Sequence, residues 1–134
     1  MGALIFEADR ILLVERGHEP LMGWWSLPGG AVETGEKLHD AIIREVLEET
    51  NLAVEPIEVV EIFERLMHDA DGKTEYHYVL IDYLCRVTGG DLRAGSDSSK
   101  AAWFGREELA NLKLTKGTLP VIEKAFRIHE SKQS

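Results

Sequence analysis

Basic residues, cysteines and long apolar runs are all scarce in this chain, and each shortage closes off a class of function. Lys and Arg number 15 against 24 Asp and Glu, a formal net charge of −9. That balance argues against a general grip on nucleic acid polymers, which requires basic patches. A phosphate-bearing small substrate stays open, because cations bound among acidic residues reverse the local field. The single cysteine, Cys85, provides no disulfide framework, and its place in the apolar run Tyr78 to Val87 marks a buried small side chain rather than a nucleophile. No stretch approaches membrane-spanning length, and MGALIFEADR, acidic by position 7, does not have the form of a secretion signal. The expectation is a cytoplasmic protein with no membrane partner, its residues 1–134 forming one domain around one core.

What the chain does have is a stretch, Gly29 to Leu52, reading GGAVETGEKLHDAIIREVLEETNL. A glycine turn after Pro28 leads past Thr34, a candidate helix N-cap, into about four helical turns ending at Asn51. On that helix Glu45, Glu48 and Glu49 fall within an arc of about 100°, at the border of the apolar stripe Leu38, Ile42 and Val46. Carboxylates at such spacing repel one another, and half-buried ones cost free energy unless paired. A hard divalent cation, Mg²⁺ or Mn²⁺, meets that need: it takes oxygen ligands, keeps several waters and shares its remaining sites with substrate phosphates. The plainer reading of the same residues is an acidic helix face open to water.

Gly30, five residues, Glu36, seven residues, then Arg44-Glu45-Val46-Leu47-Glu48-Glu49-Thr50-Asn51-Leu52 resembles the Nudix box, the loop–helix–loop motif of the Nudix hydrolases. Every charged position of the motif is filled. One position departs, with Asn51 where the family usually has glycine; asparagine is the next most tolerant residue of the left-handed conformation past a helix end. The resemblance extends over the whole chain. It implies an α/β/α sandwich with a mixed central sheet between the box helix and a C-terminal helix, where sequence rules alone give an α+β domain.

The resemblance also implies chemistry: divalent-metal-dependent hydrolysis of the pyrophosphate bond of a nucleoside diphosphate linked to another moiety. Glu45, Glu48 and Glu49 would hold Mg²⁺ or Mn²⁺, with the carbonyl of Gly29 as a further ligand. Glu48 and Glu49 are both candidates for the general base, and Gly30, Glu36 and Arg44 are the structural part of the motif. A loop acid before the strand Ala101 to Phe104 is expected, Asp97 first and Asp91 second, as ligand or base. Arg16, at a strand end, is a candidate phosphate contact or simply an exposed arginine. Trp24 and Trp25 close a core or give one aromatic wall, with Trp25 preferred for the wall. ADP-ribose or a related nucleotide sugar is the first substrate expectation, although the proline marking one ADP-ribose subgroup is replaced by Met67. The alternatives are a MutT-like nucleoside triphosphate pyrophosphohydrolase and a non-catalytic nucleotide sensor; a homodimer is left open.

The remaining elements follow from local pattern. Ala3 to Phe6 and Arg10 to Glu15 read as a hairpin. Val54 to Arg65 and Tyr76 to Val87 read as long antiparallel strands, with Pro56 at an edge and Asp69 to Lys73 as a turn rather than a calcium loop. Thr88 to Lys100 reads as a loop, Ala101 to Phe104 as a strand and Arg106 to Leu112 as a short helix. Thr118 is the expected cap of a last helix running to about His129, with Leu119, Ile122, Ala125, Phe126 and His129 on one stripe and a frayed tail after it.

Overall fold

The computed structural model describes residues 1–19, 21–95 and 98–133. Two strands, β1 (Gly2–Glu7) and β2 (Arg10–Arg16), form the first hairpin, and β3 is the short Trp25–Ser26. Helix α1 (Leu38–Thr50) follows, then β4 (Leu52–His68), β5 (Thr74–Gly90), β6 (Ser98–Gly105), a 3₁₀ helix (Arg106–Asn111) and α2 (Thr118–Gln133).

The sheet is mixed. Its order is β3-β2-β1-β5-β4 with β6 also on β2; β1 and β5 run parallel, the other pairs antiparallel. Arg10 and Ile11 pair with both β1 and β6, while Val14 and Glu15 pair with both β3 and β6. A residue has only two edges, so β6 takes one side of β2 while β1 and β3 share the other.

Alternation along the strands sorts the core into two layers. Leu4, Ile11, Leu13 and Leu84 face α2, where Val121, Ile122, Ala125 and Phe126 meet them. Ala3, Ile5, Leu12, Tyr83 and Cys85 face α1 and its Ile42 and Val46. Each fully buried side chain of this kind contributes about 1.5–3 kcal/mol, so the two layers fix α1 and α2 against opposite faces. This is the α/β/α sandwich with a mixed central sheet.

Several local expectations are corrected. Helix α1 begins at Leu38 with Lys37 as its cap residue, not at Thr34. Thr34 instead sits in a turn whose Gly35 has φ 85°, closed by the Glu36 N–H donating to the Glu33 carbonyl at 3.0 Å. Leu38 and Leu119 are exposed, and Ala41 and Val121 take the buried positions. The strand β5 runs on through Thr88 to Gly90 and β6 starts at Ser98, so both ends of the expected loop are paired. The expected frayed tail is helical to Gln133.

Pro56 lies inside β4, which the sheet order places at an edge, where its missing N–H costs no ladder bond. Register shifts at 53/54, 56/58 and 59/61 bend the same strand. Beyond them, Ile62 to Met67 pair without interruption with Tyr76 to Ile81. The β1–β5 ladder stops at Gly2 and Asp82, so this far half of the ribbon has β4 as its strand neighbour and otherwise borders a cleft.

Candidate active site

The box loop is held against the start of β1. The Ala3 N–H donates to Pro28 O at 2.8 Å and the Gly30 N–H to Met1 O at 3.1 Å. Backbone leaves no room for a side chain at Gly29, whereas one at Gly30 would have to push the Glu45 carboxylate aside. A Cβ on Gly29, whose φ is 154°, would lie 2.0 Å from Met1 O, and a Cβ on Gly30 would lie 2.5 Å from the carboxyl carbon of Glu45.

One guanidinium organises the glutamates. Arg44 Nε donates to Glu36 Oε2 at 2.7 Å and Nη2 to Glu36 Oε1 at 2.9 Å, a two-point fork, while Nη2 also reaches Ala31 O at 3.1 Å. Its Nη1 donates to Glu45 Oε1 at 2.9 Å and to Glu48 Oε2 at 3.3 Å. These bonds hold the Glu36 carboxyl below the usual carboxylate range, the Arg44 contact first and the Glu33 N–H second. The same contacts make Arg44 hold its proton more tightly than a free arginine.

A single nitrogen, Arg44 Nη1, thus touches both Glu45 and Glu48, and their carboxylates converge on that guanidinium. Glu49 goes the other way: its Oε2 accepts the Gly29 N–H at 3.4 Å. The Gly29–Gly30 backbone thus lies between Glu45 and Glu49. Among the described residues no three acidic, histidine or cysteine side chains form a ready-made metal cage, so the convergence expected from the helical wheel is partial. A fan of carboxylates around a bare backbone turn still suits a hard cation that keeps its own waters and takes substrate oxygens.

The helix end is fixed by residues far along the chain. Asn51 adopts the left-handed conformation, φ 63° and ψ 17°, and its N–H closes on Leu47 O. Its side-chain amide adds what glycine cannot, donating from Nδ2 to Asp91 O at 2.8 Å. The buried Thr50 hydroxyl donates to Val46 O at 2.7 Å and accepts the Leu52 N–H. The last carbonyls are met by the segment after β5: the Arg93 N–H donates to Thr50 O at 2.9 Å and the Gly95 N–H to Glu49 O at 2.8 Å. A Cβ on Gly95 would sit 2.1 Å from Glu48 O. The sequence reading missed Gly95; the glycine-rich TGGDLRAGSDSSK marks a loop without saying what it touches.

A cleft of about 700 Å³ opens over the box, lined by Gly29, Gly30, Glu49, Arg16, His18 and Tyr78 among others. A second of about 910 Å³ adjoins it through Arg16, Leu27 and Leu80, and is lined further by Arg65, Met67 and Thr118. Arg16 therefore stands where the two meet. Asp82 borders the second cleft, and desolvation, opposed by the Met1 ammonium and the Gly2 N–H, raises its carboxyl above the ordinary aspartate value. Trp25 is not brought to either cleft. Its ring packs edge-on against Phe104, centroids 4.9 Å apart, and its backbone bonds to Lys113 and Thr115. Asp97 lies outside the described residues, and Asp91 is exposed near the end of α1. Among the described residues no helix is long and apolar enough to cross a membrane.

The sequence profile of the NUDIX domain matches residues 1–125. Over 112 residues the chain is 34% identical to an ADP-ribose pyrophosphatase of Methanocaldococcus jannaschii, covering 84% of this chain and 64% of that protein. It is 33% identical over 113 residues to the mouse (Mus musculus) 8-oxo-dGDP phosphatase NUDT18, covering 81% of this chain and 32% of the relative. The chain thus spans less than two thirds of the length of either. Its fold matches the crystal structure of a MutT NUDIX hydrolase from Burkholderia pseudomallei with a TM-score of 0.77 and 31% identity, over 92% of this chain and 93% of the other. A box with every charged position filled, its arginine–glutamate fork formed, and a match over nearly the full length place this chain in the NUDIX domain family.

Proposed function

We propose that the chain hydrolyses the pyrophosphate bond of a nucleoside diphosphate derivative, with Mg²⁺ or Mn²⁺ held by Glu45, Glu48 and Glu49 and the carbonyl of Gly29. The observation that carries this reading is the Arg44 guanidinium bonded at once to Glu36, Glu45 and Glu48 beside a glycine turn packed against the Glu45 carboxylate. The cation, when bound, neutralises phosphate oxygens and lowers the pKa of water. The chain's own residues do the rest. The fork from Arg44 to Glu36 ties the helix to the loop and keeps Glu45 and Glu48 aimed at one point. Arg16 meets the diphosphate where the clefts join, and Glu48 or Glu49 takes the proton of the attacking water. Asp97 and Asp91 remain candidates for an additional acid from the loop.

ADP-ribose is the first substrate choice, supported by the archaeal relative's name. The second cleft beside the box offers room for the part of the substrate beyond the diphosphate, and Met67, where one ADP-ribose subgroup carries its proline marker, lines it. An oxidised guanine nucleotide is the competing class, supported by the mouse relative's name. The test is Mg²⁺-dependent turnover of ADP-ribose, 8-oxo-dGDP, 8-oxo-dGTP, ordinary dNTPs, a diadenosine polyphosphate and a nucleotide sugar, with products separated by chromatography. AMP plus ribose 5-phosphate from ADP-ribose supports the first choice. Loss of at least ~100-fold in kcat in Glu48→Gln is expected, and unchanged turnover in that variant would remove the catalytic assignment. Tight binding of one compound without turnover would instead make the chain a nucleotide sensor.

A further inference from the structure

Ten aromatic residues are present in the sequence, and among the described residues Tyr76 and Tyr78 are the aromatic members of the exposed large apolar side chains, at 51% and 46% of their full accessibility. The phenylalanines and Trp25 are packed with the α2 layer, and Tyr83 and Trp103 with the α1 layer. The two exposed rings are not scattered. Both project from one face of β5, stacked on each other with centroids 5.9 Å apart and planes 20° from parallel. Tyr78 lines the cleft that also holds Glu49, Gly29 and Arg16. Directly across the ribbon from Tyr78 is Arg65, which lines the adjoining cleft.

A solvent-exposed aromatic pair forgoes the burial that aromatic side chains otherwise gain, and a ring at the mouth of a phosphate cleft recovers it only when something flat is laid on it. We propose that Tyr78, backed by Tyr76 and flanked by Arg65, is the surface on which the base of the nucleoside stacks while the diphosphate lies toward Gly29 and Glu49. This rests on the reading of the box cleft as the phosphate end. It makes Tyr78 a specificity residue that touches the substrate away from the reacting phosphorus. It also moves the aromatic wall from Trp25, whose ring is committed to Phe104, to the far half of β5.

The test is calorimetric binding of AMP, GMP and ribose 5-phosphate to the full chain with Mg²⁺ present, which requires no turnover. Base stacking on an aromatic side chain is worth roughly a five- to hundred-fold in affinity. Tyr78→Ala is therefore expected to weaken the tighter-binding nucleoside monophosphate by about ten-fold or more, and to leave ribose 5-phosphate within about two-fold. Tyr78→Phe retains the ring and is expected to restore nucleotide affinity. An unchanged nucleotide affinity in Tyr78→Ala overturns the proposal, as does equal weakening of all probes or absence of nucleotide binding by the parent chain. Loss of self-association in Tyr78→Ala without a nucleotide effect also overturns it, marking the ring as a protein contact. Nucleotide binding that depends on Tyr78 in a chain that hydrolyses nothing would leave stacking intact and count against the proposed reaction alone.

Discussion

Replacing Gly30 by alanine separates what the box turn does for folding from what it does for chemistry. The new Cβ would stand 2.5 Å from both Cδ and Oε2 of Glu45 and 2.7 Å from Oε1. Unstrained carbon contacts lie near ~3.5 Å, so the carboxylate must retreat by about 1 Å. The atoms struck are the far end of a flexible side chain, so the displacement costs folding little. For a metal ligand the same movement is severe: a misplacement of about 1 Å lowers rate by about 100-fold, or about 2.7 kcal/mol in activation free energy. It also pulls Glu45 away from Arg44 Nη1, now 2.9 Å distant. The assay pairs kcat on the preferred substrate, across a range of Mg²⁺ concentrations, with thermal unfolding. Gly30→Ala should melt within a few degrees of the parent and turn over about 100-fold more slowly, with part of the loss recovered at high Mg²⁺. Full activity would refute the argument, because Glu45 would then have no fixed position to lose. A melting temperature that collapses along with activity would refute it differently, by making the turn a folding element.

Three further outcomes follow from described contacts. Gly95→Ala drives a Cβ to 2.1 Å from Glu48 O and 2.9 Å from Glu49 Cα, and backbone atoms cannot step aside. It should cost about 1–3 kcal/mol of stability and slow turnover, both read on one preparation; a fully active, fully stable variant would show the contact to be slack. Asp82 has a raised carboxyl pKa, chiefly from desolvation, with the Glu61 charge adding to it. Its folded form binds the proton more tightly than the unfolded chain, so its ionisation removes stability as pH rises through the folded value. Asp82→Asn should therefore raise the melting temperature at pH 7 and lose that advantage near pH 3; an advantage equal at both pH values would point to packing instead. Finally, burial pushes the Cys85 thiol up to about 12, so an aromatic disulfide reagent at pH 7.5 should leave it unreacted in the native protein and titrate it fully in denaturant.

The sequence made the box legible because its charged residues stand at fixed spacings whose partners lie within a few turns of one another. Arg44 and Glu36 are eight residues apart and meet as the motif implies. The two faces of the sheet were legible for a related reason, since strict alternation in Leu4-Ile5 and Leu12-Leu13 assigns neighbours to opposite layers. Thr34 shows where local rules mislead. It has the chemistry of a cap, yet the Glu36 carboxylate already accepts the Glu33 N–H at 3.1 Å and faces Arg44, and that competing network delays the helix to Leu38. Trp25, Gly95 and Tyr78 were beyond local rules altogether. What each one touches depends on strand pairing and loop return across tens of residues, and nothing in the neighbouring sequence encodes it.

The closure of α1 by distant backbone also bears on how the protein is made. The helix carries every metal-binding glutamate proposed for this chain, yet its final carbonyls are satisfied by Arg93 and Gly95, and Asn51 reaches 40 residues ahead to Asp91. A nascent chain still emerging from the ribosome holds a complete box sequence long before it holds a complete box. Until the segment beyond Gly90 is synthesised, the carbonyls of the last turn lack those N–H donors and Glu48 and Glu49 stand on a fraying end. A chain truncated at Gly90 would keep every glutamate of the motif and lose the clamp that aims them.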